Sequence, residues 1–268
     1  MPTIQASSVT VRAGHAVLLD AVSFAAEPGE AIAIAGPNGA GKSTLLRVLS
    51  GDRRPDHGEV RLKGRPLAQF SSGALAQQRA VLSQTTVMAF PFTVAEVVAM
   101  GLSDRNPRAR AAAADAALAE VGLAGFQDRI ITTLSGGEQH RAHLARVLAQ
   151  LASGEREHGP GLLLLDEPTA SLDLHHQLDF VALARKRAAQ GTTVVAVLHD
   201  LNLAATFADR ILMLHRAKVA ADGAPQLTIT ERLLAEVFGV SPARDRLADD
   251  TIPFVLPQML TVSRPDHR

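Results

Sequence analysis

Gly36-Pro37-Asn38-Gly39-Ala40-Gly41-Lys42-Ser43-Thr44 is the stretch on which the reading of this chain turns. It satisfies the pattern G-x-x-x-x-G-K-[ST] at every fixed position. Glycines let successive backbone N–H groups turn inward around an anion. Lys42 adds a point charge, and the start of a helix adds its dipole. The flanks fit that geometry. Glu30-Ala31-Ile32-Ala33-Ile34-Ala35 reads as a buried strand entering the loop, and Ser43-Thr44-Leu45-Leu46-Arg47-Val48-Leu49 reads as the helix leaving it. The stretch is therefore expected to hold the phosphates of a nucleotide.

A second chemical motif lies downstream. Leu162-Leu163-Leu164-Leu165 is a strand-length apolar run followed by Asp166-Glu167. Such a strand carries both carboxylates to the C-terminal edge of a sheet, where α/β proteins bind ligands. Asp166 is expected to hold Mg²⁺, and Glu167 to orient and deprotonate an attacking water. Around these motifs strands and helices alternate: 162–165, helix 174–189, strand 192–198, helix 201–208, strand 210–214. That alternation predicts a mostly parallel sheet with helices on its faces. Before the loop, Val9-Thr10-Val11 and Val22-Ser23-Phe24 alternate as strands, and Glu59–Leu62 and Val81–Gln84 read as short strands after it. From Thr93 to about Ala152 the pattern turns helical, with an Ala-rich helix at 108–120. Residues 153–161 read as a polar break. From Ser241 the prolines predict an irregular tail with a short strand near Phe254-Val255-Leu256.

Bulk properties narrow the chemistry. The chain has 268 residues, 47% of them hydrophobic, enough for a substantial core. Lys+Arg and Asp+Glu balance at 27 each, so no basic excess is available for nucleic acid. Cysteine is absent, which removes disulfides, thiolate metal sites and thiol nucleophiles. No signal peptide and no membrane-length apolar run is visible.

Leu134-Ser135-Gly136-Gly137-Glu138-Gln139 adds a serine and two glycines opening a helix, a second anion-binding geometry. In the following helix Ala142, Ala145, Leu148 and Leu151 read as core packing. With the loop at 36–44, this segment, Asp166-Glu167 and His199 in family order, the chain resembles the nucleotide-binding subunit of an ABC transporter over about residues 3–240. The resemblance implies a P-loop NTPase α/β fold. Its expected parts are a mostly parallel core sheet, an N-terminal antiparallel β subdomain and an inserted helical subdomain at about 90–155. Residues 241–268 would be a short tail. It implies ATP and Mg²⁺ as ligands, with Ser43, Gln84 and Asp166 around the metal. Gly36, Asn38, Gly39, Ala40, Gly41, Lys42, Ser43 and Thr44 would hold the phosphates.

The resemblance further implies that two copies pack head to tail. Ser135, Gly136, Gly137 and Glu138 of one copy would then face the nucleotide of the other. Gln84 matches the glutamine that links the metal region to the helical subdomain. Ser171-Leu172-Asp173 matches the loop that communicates across the dimer, and His199 matches the histidine at the γ-phosphate. Phe90–Gly101, Val197–Ala205 and the tail Ile252–Pro257 resemble the ATPases of heme importers. Ferric siderophore and cobalamin importers are the alternatives. The implied partners are two transmembrane permease subunits and, indirectly, a periplasmic binding protein, at the cytoplasmic face of the inner membrane, with no nucleic acid. Residues 90–101 are read as core helix or as the wall of a groove that grips a membrane subunit.

One departure concerns the base. The family stacks adenine on an aromatic residue near position 13, but this chain has Ala13 there and no Tyr or Trp anywhere. Arg12 or His15 is expected to take that place, or the base is held loosely. No residue is expected to ligate heme, and the adjacent His175 and His176 read as a solvated helix start. A soluble ABC protein of DNA repair or translation would bring paired domains, coiled-coil insertions or cysteine-rich modules, and none is present. An exporter ATPase is disfavoured by the 90–101 segment.

Overall fold

The computed structural model describes residues 1–84, 90–104, 106–170 and 172–240, and the backbone alone of 241–242 and 260–262. Two sheets sandwich the helix that leaves the phosphate loop. The first is antiparallel and is built from β1 (Ile4–Ala13), β2 (Ala16–Ala26), β4 (His57–Leu62) and β5 (Arg65–Pro66), in the order β2-β1-β4-β5. The second has the order β10-β9-β3-β8-β7-β6. Its strands are β3 (Ala31–Ala35), β6 (Arg79–Leu82), β7 (Leu162–Asp166), β8 (Thr193–Val197), β9 (Arg210–His215) and β10 (Lys218–Gly223). All its pairings are parallel except that of β9 with β10.

Alternation along the parallel strands sorts the core into two layers. Ile32, Ile34, Leu162, Leu164, Val195 and Val197 face α1 (Lys42–Ser50) and the antiparallel sheet, packing with Leu45 and Leu49. The other faces, Ala31, Ala33, Ala35, Leu163, Leu165 and Ala196, pack with the remaining helices. Small side chains on β3 keep that second layer close. The helices after α1 are α2 (Ser72–Ala76), α3 (Val94–Ala99), α4 (Pro107–Glu120), α5 (Gly136–His158), α6 (Leu174–Ala189), α7 (Leu201–Phe207) and the short α8 (Pro225–Thr228) and α9 (Glu231–Leu233). The expected core residues of α5, Ala142, Ala145, Leu148 and Leu151, are all buried.

Three expectations change. First, α5 does not stop near Leu151: it runs to His158, and only Gly159, at φ +69°, ends it. The polar residues that read as a break do structural work inside the helix. A Cβ on Gly154 would lie 1.8 Å from the Gln77 carbonyl oxygen, so the glycine marks a close helix–backbone crossing. One turn end further, Glu155 Oε1 accepts from the Gly161 N–H (3.0 Å) and the Thr192 hydroxyl (2.6 Å), tying the helix end to the strands that follow. Second, β10 was not foreseen, because a short edge strand carrying Lys218 and Asp222 lacks a long hydrophobic run. Third, a short terminal pairing joins β11 (Val240–Pro242) to β12 (Leu260–Val262), while the strand expected at 254–256 and the tail segment 252–257 lie outside the described residues.

Candidate active site

The parallel register gathers the chemistry at one edge. Leu82 pairs with Leu165, Asp166 with Val197, and Ile34 with Val197. Gly36, Gln84, Glu167 and His199 therefore all emerge within two residues of a single line across the C-terminal ends of β3, β6, β7 and β8.

The phosphate loop is held open by backbone geometry. Gly36 has φ +142°, and a Cβ there would lie 2.2 Å from the Leu214 carbonyl oxygen, so no side chain fits. Lys42 is buried, and its ammonium donates to the carbonyls of Gly36 (2.8 Å) and Pro37 (2.9 Å). Burial lowers its pKa, opposed by the charges of Glu167 and Asp166. Two of its three donors are spent on the loop, which leaves one for an anion. Asn38 and Gly39 are exposed at the rim and Ala40 is buried beneath it. No side chain caps α1, whose N-cap Gly41 is left-handed. The first N–H groups of Lys42, Ser43 and Thr44 thus form an uncapped positive helix end, the geometry that binds phosphate.

Beside the loop, the Ser43 hydroxyl donates to Asp166 Oδ1 at 3.2 Å. A cavity of about 220 Å³ adjoins them, lined by Arg47, Gln84 and Asp52 among others. Asp166 is 7% exposed, and burial raises its pKa, with Glu167 adding to the rise; the Ser43 bond and the charges of Arg47 and His199 pull the other way. Glu167 is held on both oxygens. His199 Nε2 lies 2.5 Å from Oε1, and Gln84 Nε2 donates to Oε2 at 2.7 Å. Its backbone sits at φ +50°, left-handed for a non-glycine residue, with its N–H bonded to the Val197 carbonyl (3.2 Å). Strain of this kind persists where the surroundings fix it, commonly at functional sites. Arg47 was missed in the sequence, although its i+4 spacing from Ser43 on α1 puts the two on one face.

The segment Leu134–Gln139 forms a separate helix start. Ser135 caps α5 in a closed box: its N–H and hydroxyl donate to Glu138 Oε2 (2.8 and 2.7 Å), and its Oγ accepts the Glu138 N–H (3.3 Å). These bonds hold the Glu138 carboxyl below its ordinary pKa. Space opposite Gly136 is open. Among the described residues no hydrogen bond joins this segment to the phosphate loop. Asp173 caps α6 by accepting the His176 N–H at 2.9 Å, while Ser171 lies outside the described residues. Ala13, Arg12 and His15 are exposed at the turn between β1 and β2, which carries no Phe, Tyr or Trp. His175 projects into solvent, as expected, with Asp179 3.5 Å away.

Similarity to known proteins extends over nearly the whole chain. The family model described as ABC transporter matches residues 19–170. A hemin import ATP-binding protein HmuV of Rhodopseudomonas palustris (strain BisA53) is 58% identical over 96% of this chain and 95% of its own length. The protein of the same name from Bradyrhizobium diazoefficiens is 55% identical over 96% and 95%. Among solved structures, a dimeric ATP-binding cassette in a post-hydrolysis state, bound to ADP and phosphate, superposes with a TM-score of 0.73 at 26% identity, covering 83% of this chain and 98% of that one.

Proposed function

The chain belongs to the ABC transporter family, and from that premise we propose that it is the ATP-hydrolysing subunit of a bacterial heme importer. The observation that carries the cargo is the near-full-length likeness, at 58% and 55% identity, to proteins named for hemin import. The site supports the ATPase. The loop and the uncapped start of α1 offer N–H donors and Lys42 to the phosphates. Glu167 is the base that takes the proton of the attacking water. In this state each of its oxygens accepts one hydrogen bond, and a second lone pair on each remains for the attacking water. His199 stands beside the base to meet the γ-phosphate, and Gln84 to reach the metal region.

Mg²⁺ fits the donor set: a hydroxyl, a buried carboxylate whose pKa is raised by burial, and an amide, all hard oxygen ligands. Ser43, Gln84 and Asp166 would hold it, and when bound it neutralises charge on the transferred phosphate. Ser135 and Gly137 serve the nucleotide of a second copy, in keeping with the dimeric cassette this fold resembles. Among the described residues no helix is long and apolar enough to cross a membrane. Transport therefore falls to a permease pair, fed by a periplasmic binding protein, with this chain at the cytoplasmic face of the inner membrane. Phe90 and Met100, 67% and 51% exposed, are the apolar side chains assigned to the permease contact.

Reconstitution with a heme-importer permease pair tests the reading. Hemin uptake and ATP hydrolysis should both require the pair. Glu167→Gln should lower turnover by about 10²-fold while ATP binding persists. Uptake of a ferric siderophore or cobalamin but not hemin would overturn the cargo assignment, and near-normal turnover of the variant would remove Glu167 from its role.

A further inference from the structure

The short segment between Glu167 and Asp173 is braced from behind by the first turn of α6. Gln177 Nε2 donates to the carbonyls of Leu172 (3.2 Å) and Thr169 (3.4 Å). The Ala170 N–H donates to the Glu167 carbonyl and the Leu172 N–H to the Thr169 carbonyl, each at 3.2 Å. His176 Nδ1 lies 2.7 Å from Asp173 Oδ1, the same oxygen that accepts the His176 N–H at 2.9 Å. A cap bond alone would leave the carboxylate free to turn about its Cβ. Two donors on one oxygen restrain the carboxylate and leave Oδ2 outside both bonds. The two bonds hold the Asp173 carboxyl below its ordinary pKa. The neighbouring histidine behaves otherwise: the side chain of His175 is 80% exposed against 32% for His176. Leu174, immediately after Asp173, leaves an apolar side chain 71% exposed at the same end of α6, available to be covered by a second copy.

We propose that His176 and Gln177 are positioning residues for ATP hydrolysis: they hold the Thr169 and Leu172 carbonyls and the Asp173 carboxylate so that Asp173 Oδ2 reaches the second copy while Glu167 stays aligned with its own nucleotide. This rests on the reading of a site shared between two copies. Neither residue touches nucleotide. His176 acts through Asp173, with Nδ1 carrying the proton it donates. Gln177 acts through two backbone carbonyls. The arrangement couples the base of one site to the copy that completes it, through the five residues between Glu167 and the helix cap at Asp173.

The test uses the full chain with His176→Ala, His176→Asn and Gln177→Ala, and measures kcat, KM for ATP and the dependence of turnover on chain concentration, with melting temperature as a check on folding. His176→Ala should lower kcat by about fivefold or more with KM within about twofold of wild type. His176→Asn, which keeps a donor at the same position, should recover at least about half of the loss. Gln177→Ala should act in the same sense as His176→Ala. Full turnover in His176→Ala, or equal impairment in the alanine and asparagine variants, overturns the assignment. A wild type whose turnover per chain ignores chain concentration removes the shared-site reading and this assignment with it. A concentration-dependent wild type with an unaffected His176→Ala removes the assignment alone.

Discussion

His143, on α5, is 4% exposed, and both of its ring nitrogens are buried without a hydrogen-bond partner among the described residues. Burial, reinforced by the charges of Arg146 and His140, pushes its pKa down to about 4 from 6.5. The sign of the consequence follows from proton binding. Between those two values the unfolded chain binds a proton that the folded chain refuses, so stability falls as pH drops through 6.5 toward 4. The whole interval corresponds to about 3 kcal/mol, of which about 1.4 kcal/mol is already lost near pH 5.5. For a chain of this size that loss lowers the melting temperature by about 4 °C. The perturbation is His143→Leu, which keeps an apolar shape and removes the titration. Melting should be followed by circular dichroism at about pH 7.5 and about pH 5.5, where the wild type should lose about 4 °C more than the variant between the two conditions. Equal losses in the two proteins would refute the reasoning, because the proton would then be taken up elsewhere.

Two further predictions probe the framework of the site. Gly36→Ala places a methyl group 2.2 Å from the Leu214 carbonyl oxygen at a left-handed backbone position; it should cost about 1–3 kcal/mol and weaken nucleotide binding by at least about tenfold, read by melting and by titration with a fluorescent ATP analogue. Arg187, on α6, is ion-paired with Glu120 at the end of α4, their side chains 13% and 20% exposed, so this contact ties α4 to α6. Arg187→Ala should cost about 2 kcal/mol or more, and a double-mutant cycle with Glu120→Gln should show coupling; strictly additive losses would mean the pair contributes nothing.

The phosphate loop was legible because its chemistry forbids alternatives: Gly36 must be left without a side chain and Lys42 must lie inside the turn. The carboxylates at 166–167 were legible because an apolar strand run that ends in two acids has one place to put them. What linked Gln84 and His199 to them was chain order alone, since the bonds to the two oxygens of Glu167 depend on a sheet register that no local pattern encodes. The continuation of α5 was hidden by Gly154, a residue that reads as a breaker and is present to let the Gln77 backbone approach. His176 was visible only as one of two adjacent histidines. The i,i+3 spacing to Asp173 was available, but a helix cap and a solvated helix start share that spacing, and only the ring's direction separates them. The short edge strand β10 gave no strand signal because Lys218 and Asp222 flank its brief apolar run; its backbone pairs with β9, and Arg210 bonds Asp222 at 2.9 Å.

The central claim is that the loop at 36–44 is half of an ATP site and that a second copy supplies the other half through Ser135 and Gly137. The most direct measurement is ATP turnover per chain as a function of chain concentration, with the isolated subunit diluted from micromolar to nanomolar at saturating ATP. A shared site predicts turnover per chain that falls in proportion to concentration once dimers dissociate, and that is lost at all concentrations in Ser135→Arg. Turnover per chain that stays constant across the dilution, with Ser135→Arg as active as the wild type, would contradict it.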